Sequence, residues 1–256
     1  MILDDIVLKV NERYKEKEEE IPFLEIKNQA KKRKENRFYK AFKDNKFNFI
    51  CECKKASPSK GIIKENYNYI EIAKEYEKSG ANIISCLTEP YFFLGSDKHL
   101  IDIKKNVNIP VLRKDFIISE YQIYESSVIG ADAILLIVRI LDFDTLKKYI
   151  DIAESLGLGV LVECHNEEEI NMALKANAKV IGVNNRNLMD FSLDNELSLK
   201  LREKYKDIIL VSESGIKDKE DIKKVKKSNM NGCLIGEALM RSNCINDTLK
   251  EFINAC

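Results

Sequence analysis

The chain has 256 residues, with 42 basic side chains set against 42 acidic ones, and is 45% hydrophobic and 33% charged. That balance removes any overall field that would draw the protein to nucleic acid or to an anionic membrane. The longest apolar run, Ala133 to Val138, is strand-sized rather than the ~18 residues a membrane span needs, so no membrane partner is expected.

The N-terminus, Met1-Ile2-Leu3-Asp4-Asp5, carries acids where a secretory signal carries positive charge, and a cytoplasmic protein is expected. Ile2, Leu3, Ile6, Val7, Val10 and Tyr14 fall about a helical turn apart, which predicts an amphipathic helix over 2–19. Pro22 is placed to open a second helix, running into the basic stretch Lys31-Lys32-Arg33-Lys34. That stretch has no interleaved aromatics and reads as a solvated helix face rather than a nucleic-acid contact.

From Phe47 onward short apolar runs recur at 47–53, 82–87, 109–112, 132–138, 158–162, 179–183, 207–211 and 232–235. Between them lie charged stretches with helical spacing, such as Phe143, Leu146, Tyr149, Ile150 and Ala153. Strands alternating with helices imply a parallel sheet, and eight such units imply a (β/α)8 barrel, a TIM barrel of the α/β class with extra N-terminal helices. No linker or low-complexity segment splits the chain. A single domain is expected, with 1–46 as a helical extension and 47–256 as the barrel.

In such barrels the active site lies at the C-terminal ends of the strands. The apolar runs here close on Glu52-Cys53-Lys54, Leu87-Thr88-Glu89, Arg113-Lys114-Asp115, Glu163-Cys164-His165, Asn184-Asn185-Arg186, Glu213-Ser214-Gly215 and Gly236-Glu237. Strand ends meet solvent and are often polar, which accounts for one or two charges but poorly for a Glu or Lys on five strands. Side chains alternate faces along a strand, so Glu52 and Lys54 share one face and Cys51 and Cys53 the other. Inward carboxylates are costly unless paired, and Lys54, Lys114 and Arg186 are the cations available to Glu52, Glu163 and Glu213. Such a mixed cluster shifts pKa values, as acid–base catalysis requires. The two lysines would lower each other's pKa and the glutamates would raise both; the net sign is open at this level.

Gly215 and Gly236 follow the seventh and eighth strands, where many barrels bind phosphate through backbone N–H groups. Seven cysteines without a C-x-x-C pair, and only His99 and His165 beside them, point to reduced buried thiols and no metal site. The residues alone therefore describe a metal-free barrel enzyme that works on a phosphorylated small molecule with Lys and Glu.

The motifs "KKASPSKG" at 54–61, "LTEPYFFLGS" at 87–96, "VLRKDFII" at 111–118, "LVECH" at 161–165, "IGVNNRNL" at 181–188, "SESGI" at 212–216 and "LIGEALM" at 234–240 resemble, in order, the indole-3-glycerol phosphate synthase family. With "ILDDIV" at 2–7 and "GADAILLI" at 130–137, the resemblance covers nearly the whole chain. It implies conversion of 1-(2-carboxyphenylamino)-1-deoxyribulose 5-phosphate to indole-3-glycerol phosphate, carbon dioxide and water, in tryptophan biosynthesis and without a cofactor. It implies Lys114 as the general acid of ring closure, Glu163 as its support, and Lys54 with Glu52 for the later dehydration. Asn184 and Glu213 would hold substrate hydroxyls and the ring region, and Arg186 and Ser57 would lie near its anionic groups. Gly215, Gly236 and Glu237 would bind phosphate through backbone, helped by Ser214 and Lys54, and Phe93 and Phe116 would line an aromatic pocket. The N-terminal segment would help cover the substrate. The partner implied is that phosphorylated substrate, in a monomer or weak homo-oligomer open to association with other enzymes of the pathway. The rivals are phosphoribosylanthranilate isomerase, which would use a strand-1 cysteine as base, and a catalytically dead phosphate-binding barrel.

Overall fold

The computed structural model describes residues 2–44 and 47–256. The boundary expected at residue 46 lies outside the described residues.

Eight parallel strands close into a barrel: β1 (Asn48–Cys53), β2 (Ile83–Leu87), β3 (Val111–Lys114), β4 (Ala133–Ile137), β5 (Gly159–Cys164), β6 (Val180–Asn184), β7 (Ile209–Glu213) and β8 (Gly232–Ile235). Each pairs with its neighbours in sequence, and β1 pairs with both β2 and β8. The expected (β/α)8 architecture is borne out. The strand positions differ from the apolar runs at their ends. β3 was expected at 109–112 and β7 at 207–211, yet both start and finish two residues later. Apolar character marks where a strand enters the core; pairing continues into the polar residues at the C-terminal ends of the strands, Arg113-Lys114 and Ser212-Glu213.

Pleating sorts the side chains into two cores. Ile50, Ile83, Leu112, Leu135, Leu161, Val211 and Leu234 fill the barrel interior. Cys51, Cys53, Ile84, Cys86, Val160, Cys164 and Cys233 pack outward against the helices. The five buried thiols are therefore packing groups.

The helices between strands are α4 (Tyr69–Ser79), α5 (Asp97–Asn106), α6 (Glu120–Val128), α7 (Phe143–Ser155), α8 (Glu167–Lys175), α9 (Leu197–Lys204) and α10 (Lys219–Lys227), with α11 (Glu237–Arg241) and α12 (Ile245–Asn254) after β8. Asn68, Ser96, Asp142, Asn166 and Asp218 cap five of them, each side chain accepting from a first-turn N–H. These caps satisfy donors the helix cannot and set where each helix starts after the mouth loops.

Three helices precede the barrel: α1 (Ile2–Glu20), α2 (Phe23–Gln29) and α3 (Arg37–Asp44). The periodicity of α1 buries Leu3, Ile6, Val10 and Tyr14, as expected. Pro22 stands just outside α2, at its N-cap. The expected run of that helix into the basic stretch is wrong. The helix stops at Gln29, and Ala30 is extended at φ −65°, ψ 133°. Arg33 is tied under the barrel by its N–H to Leu156 O (3.0 Å) and its guanidinium to the buried Asp132 (3.1 Å), which Lys104 also pairs. A charge with a buried partner holds the chain extended where local propensity favours a helix. The fully buried Phe38 on α3 then fills the space left by Gly159 at the start of β5, where an added Cβ would come within 2.5 Å of the Phe38 ring. Among the described residues no helix is long and apolar enough to cross a membrane.

Candidate active site

A cavity of about 690 Å3 opens at the C-terminal ends of the strands. Its lining includes every residue singled out from the sequence: Glu52, Lys54, Ser57, Phe93, Lys114, Phe116, Glu163, Asn184, Arg186, Glu213, Ser214, Gly215, Gly236 and Glu237. Its floor is Leu87, Leu135, Ile137 and Leu234, inward apolar residues of β2, β4 and β8. Residues 1–46 contribute nothing to the lining among the described residues. The N-terminal segment instead lies against the mouth loops: Leu3, Asp4 and Val7 of α1 border a second cavity with Asn187 and Met189, on the loop after β6. Arg13 of the same helix pairs with Asp115, just past the end of β3, at 2.8 Å.

Two ion clusters face each other across the mouth. On β1 and just after it, Lys54 Nζ lies 2.5 Å from Glu52 Oε1. From β3, Lys114 Nζ reaches Glu163 Oε2 on β5 at 3.3 Å and Glu213 Oε2 on β7 at 3.6 Å. Lys54 and Lys114 thus take up all three carboxylates. Arg186, expected to share that task, instead donates to the carbonyl of Phe191 at 3.2 Å.

Two glycines make this crowding possible. A Cβ on Gly182 would sit 1.9 Å from Glu213 Oε1, and one on Gly236 would sit 2.5 Å from Glu52 Oε1 and 3.0 Å from Lys54 Nζ. Only a residue without a side chain leaves room for the carboxylates to converge.

The electrostatics answer the question of sign. Burial works to strip the proton from Lys114, and Glu163, Glu213 and Glu52 overcome it and raise the ammonium above the usual lysine range. Burial pushes Glu52 up, but Lys54 and Lys114 hold it below the usual carboxylate range. Glu163 follows the same pattern: burial opposes, and Lys114, His165 and the Asn184 amide win, so the carboxylate stays ionised. Glu213 goes the other way. Burial, with Glu163 and Glu52 adding to it, pushes its carboxyl up to about 8 against the pull of Lys114. Neither of its oxygens has an aligned hydrogen-bond donor; the Lys114 contact is an ion pair beyond hydrogen-bond range.

A stability consequence follows. An unfolded Glu titrates near about 4.3. Between there and about 8 the folded chain keeps a Glu213 proton that the unfolded chain has released, so this group's contribution falls as pH rises through that window. Glu213→Gln removes the penalty. The variant's gain in denaturation midpoint over the wild type should be small at pH 5 and grow towards pH 8.5. A gain that stays constant or shrinks over that range would mean Glu213 is ionised throughout.

Asn184 ties this cluster to the loop after β7. Its Nδ2 donates to Glu163 Oε1 (3.2 Å), and its Oδ1 accepts from Ser214 Oγ (2.8 Å) and Arg186 N (3.0 Å). Ser214 and Gly215 both have positive φ, +64° and +90°, and form the sharp turn that brings 214–217 to the cavity wall. A non-glycine residue in that conformation is strained, and its bonds to Asn184 and Asn185 hold it there. Gly236 precedes α11, and the Glu237 carboxylate beside it accepts from Arg241 Nε at 3.0 Å. Ser57 sits on a two-residue strand paired with Gly61–Ile62 at the cavity edge. Phe93 and Phe116 lie with ring centroids 6.0 Å apart.

Sequence reading passed over two kinds of residue. Glu89 accepts from the N–H groups of Tyr91, Phe92 and Phe93 and so shapes the loop that presents Phe93. Its place at the end of β2 was visible, but its role depends on a loop fold that was not. Lys60 and Lys217 also line the cavity, from loops with no periodic signal. The strand-1 thiols face away from the cavity, and burial pushes both upward, which removes Cys51 and Cys53 as bases.

Comparison with known proteins gives one family. The family model described as indole-3-glycerol phosphate synthase matches residues 3–252. The protein of that name from Ruminiclostridium cellulolyticum is 53% identical over 246 residues, 94% of this chain and 95% of its own length. That from Endomicrobium trichonymphae is 54% identical over 255 residues, 98% and 99%. Among solved structures, a 3-hexulose-6-phosphate synthase superposes with a TM-score of 0.66 at 17% identity over 82% of this chain and 99% of its own. A thiamine phosphate pyrophosphorylase from Pyrococcus furiosus gives 0.62 at 17% identity, over 82% and 96%. At that identity these structures speak for the barrel alone.

Proposed function

The chain belongs to the indole-3-glycerol phosphate synthase family, and from that premise we propose how the mouth residues divide the work. The reaction takes 1-(2-carboxyphenylamino)-1-deoxyribulose 5-phosphate to indole-3-glycerol phosphate, carbon dioxide and water. The observation that carries the assignment is Lys114 Nζ, held between Glu163 and Glu213 above an apolar floor.

In ring closure, the aromatic carbon bearing the carboxylate attacks the ketone carbon. Negative charge develops on the ketone oxygen, and the Lys114 ammonium stabilises it in a site where water is sparse. A nascent alkoxide is more basic than any lysine, so the proton passes from Nζ to oxygen even though the resting ammonium holds it tightly. The skeleton left behind is electron-poor, and the ionised Glu163 offsets its charge. Loss of carbon dioxide returns an electron pair to the ring and restores aromaticity, so no cofactor is required. Dehydration follows. Lys54 gives a proton to the departing hydroxyl, and Glu52, 2.5 Å from Lys54, accepts one from the skeleton.

Phe93 and Phe116 flank the aromatic ring, Asn184 and Glu213 take substrate hydroxyls, and Arg186 and Ser57 stand near the substrate's anionic groups. The phosphate is assigned to the backbone at Gly215, Gly236 and Glu237, with Ser214 and Lys54 assisting. Its engagement by Arg241 keeps the Glu237 carboxylate from competing. We place the enzyme in the cytoplasm, supported by seven unpaired cysteines, as a monomer or weak homo-oligomer in reach of other enzymes of its pathway.

The test is turnover of the purified protein with this substrate, following indole fluorescence and released carbon dioxide together. Equal rates of both support the reading. A folded protein that binds the substrate and releases neither product is the dead phosphate-binding barrel.

A further inference from the structure

His165 follows β5 with its side chain almost wholly buried and its ring between two carboxylates. Nδ1 lies 3.1 Å from Glu169 Oε2, and Nε2 lies 3.4 Å from Glu163 Oε1, within ion-pair reach though not aligned for a hydrogen bond. Glu169 is itself fixed. Its Oε2 accepts the His165 backbone N–H at 2.7 Å, its own N–H is held by the Asn166 cap at 2.8 Å, and Arg139 pairs with its Oε1 at 3.2 Å. Arg139 in turn donates to Asn187 Oδ1 at 3.0 Å, on the loop after β6.

We propose that His165 is a positioning residue, which carries the Glu169–Arg139 pair through to Glu163 and keeps that carboxylate ionised and in place beneath Lys114. The inference rests on Glu163 supporting Lys114, as assigned above. The hydrogen-bond arithmetic is restrictive. With Nδ1 donating to Glu169, a neutral ring turns a bare lone pair from Nε2 towards the Glu163 carboxylate. Only the doubly protonated ring offers a donor to each acid, and Nε2 is buried with no other partner. The charged groups around the ring are Glu163 on its own strand, Glu169 from α8 and Arg139 from the segment after β4, with Lys114 and Glu213 behind Glu163. Lys114, Glu163, His165, Glu169 and Arg139 form a connected line of side chains leading outward from the cavity. A purely structural cap would need Glu169 and Asn166 but not an imidazole reaching back to a mouth carboxylate.

The test compares His165→Gln with the wild type across the pH profile of kcat/KM. Glutamine can fill the space and donate one hydrogen bond but carries no charge. His165 is among the groups that hold the Glu163 carboxyl down, so losing the ring raises it and the acidic limb of the profile should move to higher pH. Glu213 titrates well above that limb, at about 8, so the two are separable. At the optimum kcat should fall about tenfold with KM little changed, the pattern of a group whose effect is realised only in the transition state. Glu169→Gln, which leaves the ring an acceptor but removes a charge, should shift the limb the same way by less, and serves if His165→Gln does not fold. A limb that stays in place in both variants overturns the proposal, as does a rise in KM with kcat unchanged. Glu163→Gln separates the two levels of the argument. If that variant keeps full turnover, the assignment of Glu163 fails; if it is inactive while the His165→Gln profile matches the wild type, only the role of His165 fails.

Discussion

Lys114→Ala is expected to lower kcat by about a thousandfold or more, because one substitution removes both a general acid and the cation facing the developing oxyanion. The same change leaves Glu163 and Glu213 converging with no ammonium between them. Glu213, already pushed up to about 8, would hold its proton more firmly still, so the cavity would become neutral rather than collapse. The folded state should therefore survive, and the loss should fall on turnover. Lys114→Arg sharpens the reading. Arginine keeps the charge but does not surrender a proton. If the ammonium acts mainly by its field, the Arg variant should recover a substantial part of the lost rate; if proton delivery is essential, it should be as inactive as the alanine variant. Steady-state rates by indole fluorescence decide between them. A loss under tenfold in Lys114→Ala would move the general acid to Lys54, which is already paired with Glu52 at 2.5 Å.

The groups most open to reading from sequence are those whose position follows from strand period alone. Glu52, Lys114, Glu163 and Glu213 each close an apolar run, and in a parallel barrel that puts them at one end of the fold. Alternation also placed Cys51 and Cys53 outside and Glu52 inside. What alternation could not give is which inward charges meet, because that depends on barrel register. Glu163 stands level with Gly182, and Asn184 level with Glu213, so the Glu213 carboxylate of β7 fills the space over Gly182 on β6. Arg186 shows the same limit from the other side. It was counted among the cations for the mouth carboxylates, yet the bridge between Arg186 and Leu193 turns its guanidinium to the Phe191 carbonyl. The stretch Lys31 to Lys34 was misread because its partner, Asp132, lies about a hundred residues further on. Local pattern carries no information about a contact at that separation.

Arg113 is the largest case of such a long-range partner, and its removal should be the most damaging to stability. It is next to Lys114 on β3 but points the opposite way, outward and fully buried. Its Nη2 donates to Asp97 at 2.5 Å, to Glu125 at 2.8 Å and to the Tyr14 hydroxyl at 2.9 Å. Its Nη1 reaches Ser126 Oγ at 3.0 Å, and Nε reaches Thr88 Oγ1 at 3.2 Å. Around it Arg13 pairs with Asp115, and Lys17 pairs with Asp97 and Glu125, so three cations meet three carboxylates between α1, β3, α5 and α6. Arg113→Met keeps much of the volume but removes the central cation, leaving carboxylates that Arg13 and Lys17 cannot fully serve. Taking one partner from a buried ionic cluster typically costs about 3–5 kcal/mol. For a chain of this size that is a fall in Tm of roughly 10 °C. Arg113→Lys tests whether the charge or the fork matters. A lysine restores the charge but cannot place donors in three directions at once, so it should recover less than half of the loss. Because Arg13, Tyr14 and Lys17 carry the polar contacts of α1 to the barrel, beside the apolar packing of Leu3, Ile6 and Val10, the same substitutions should loosen that helix first. Amide exchange in α1 should then rise more than exchange in β5 to β8. Uniform loss of protection along the chain would instead mean that the cluster stabilises the barrel as a whole, and that α1 has no separate hold on it.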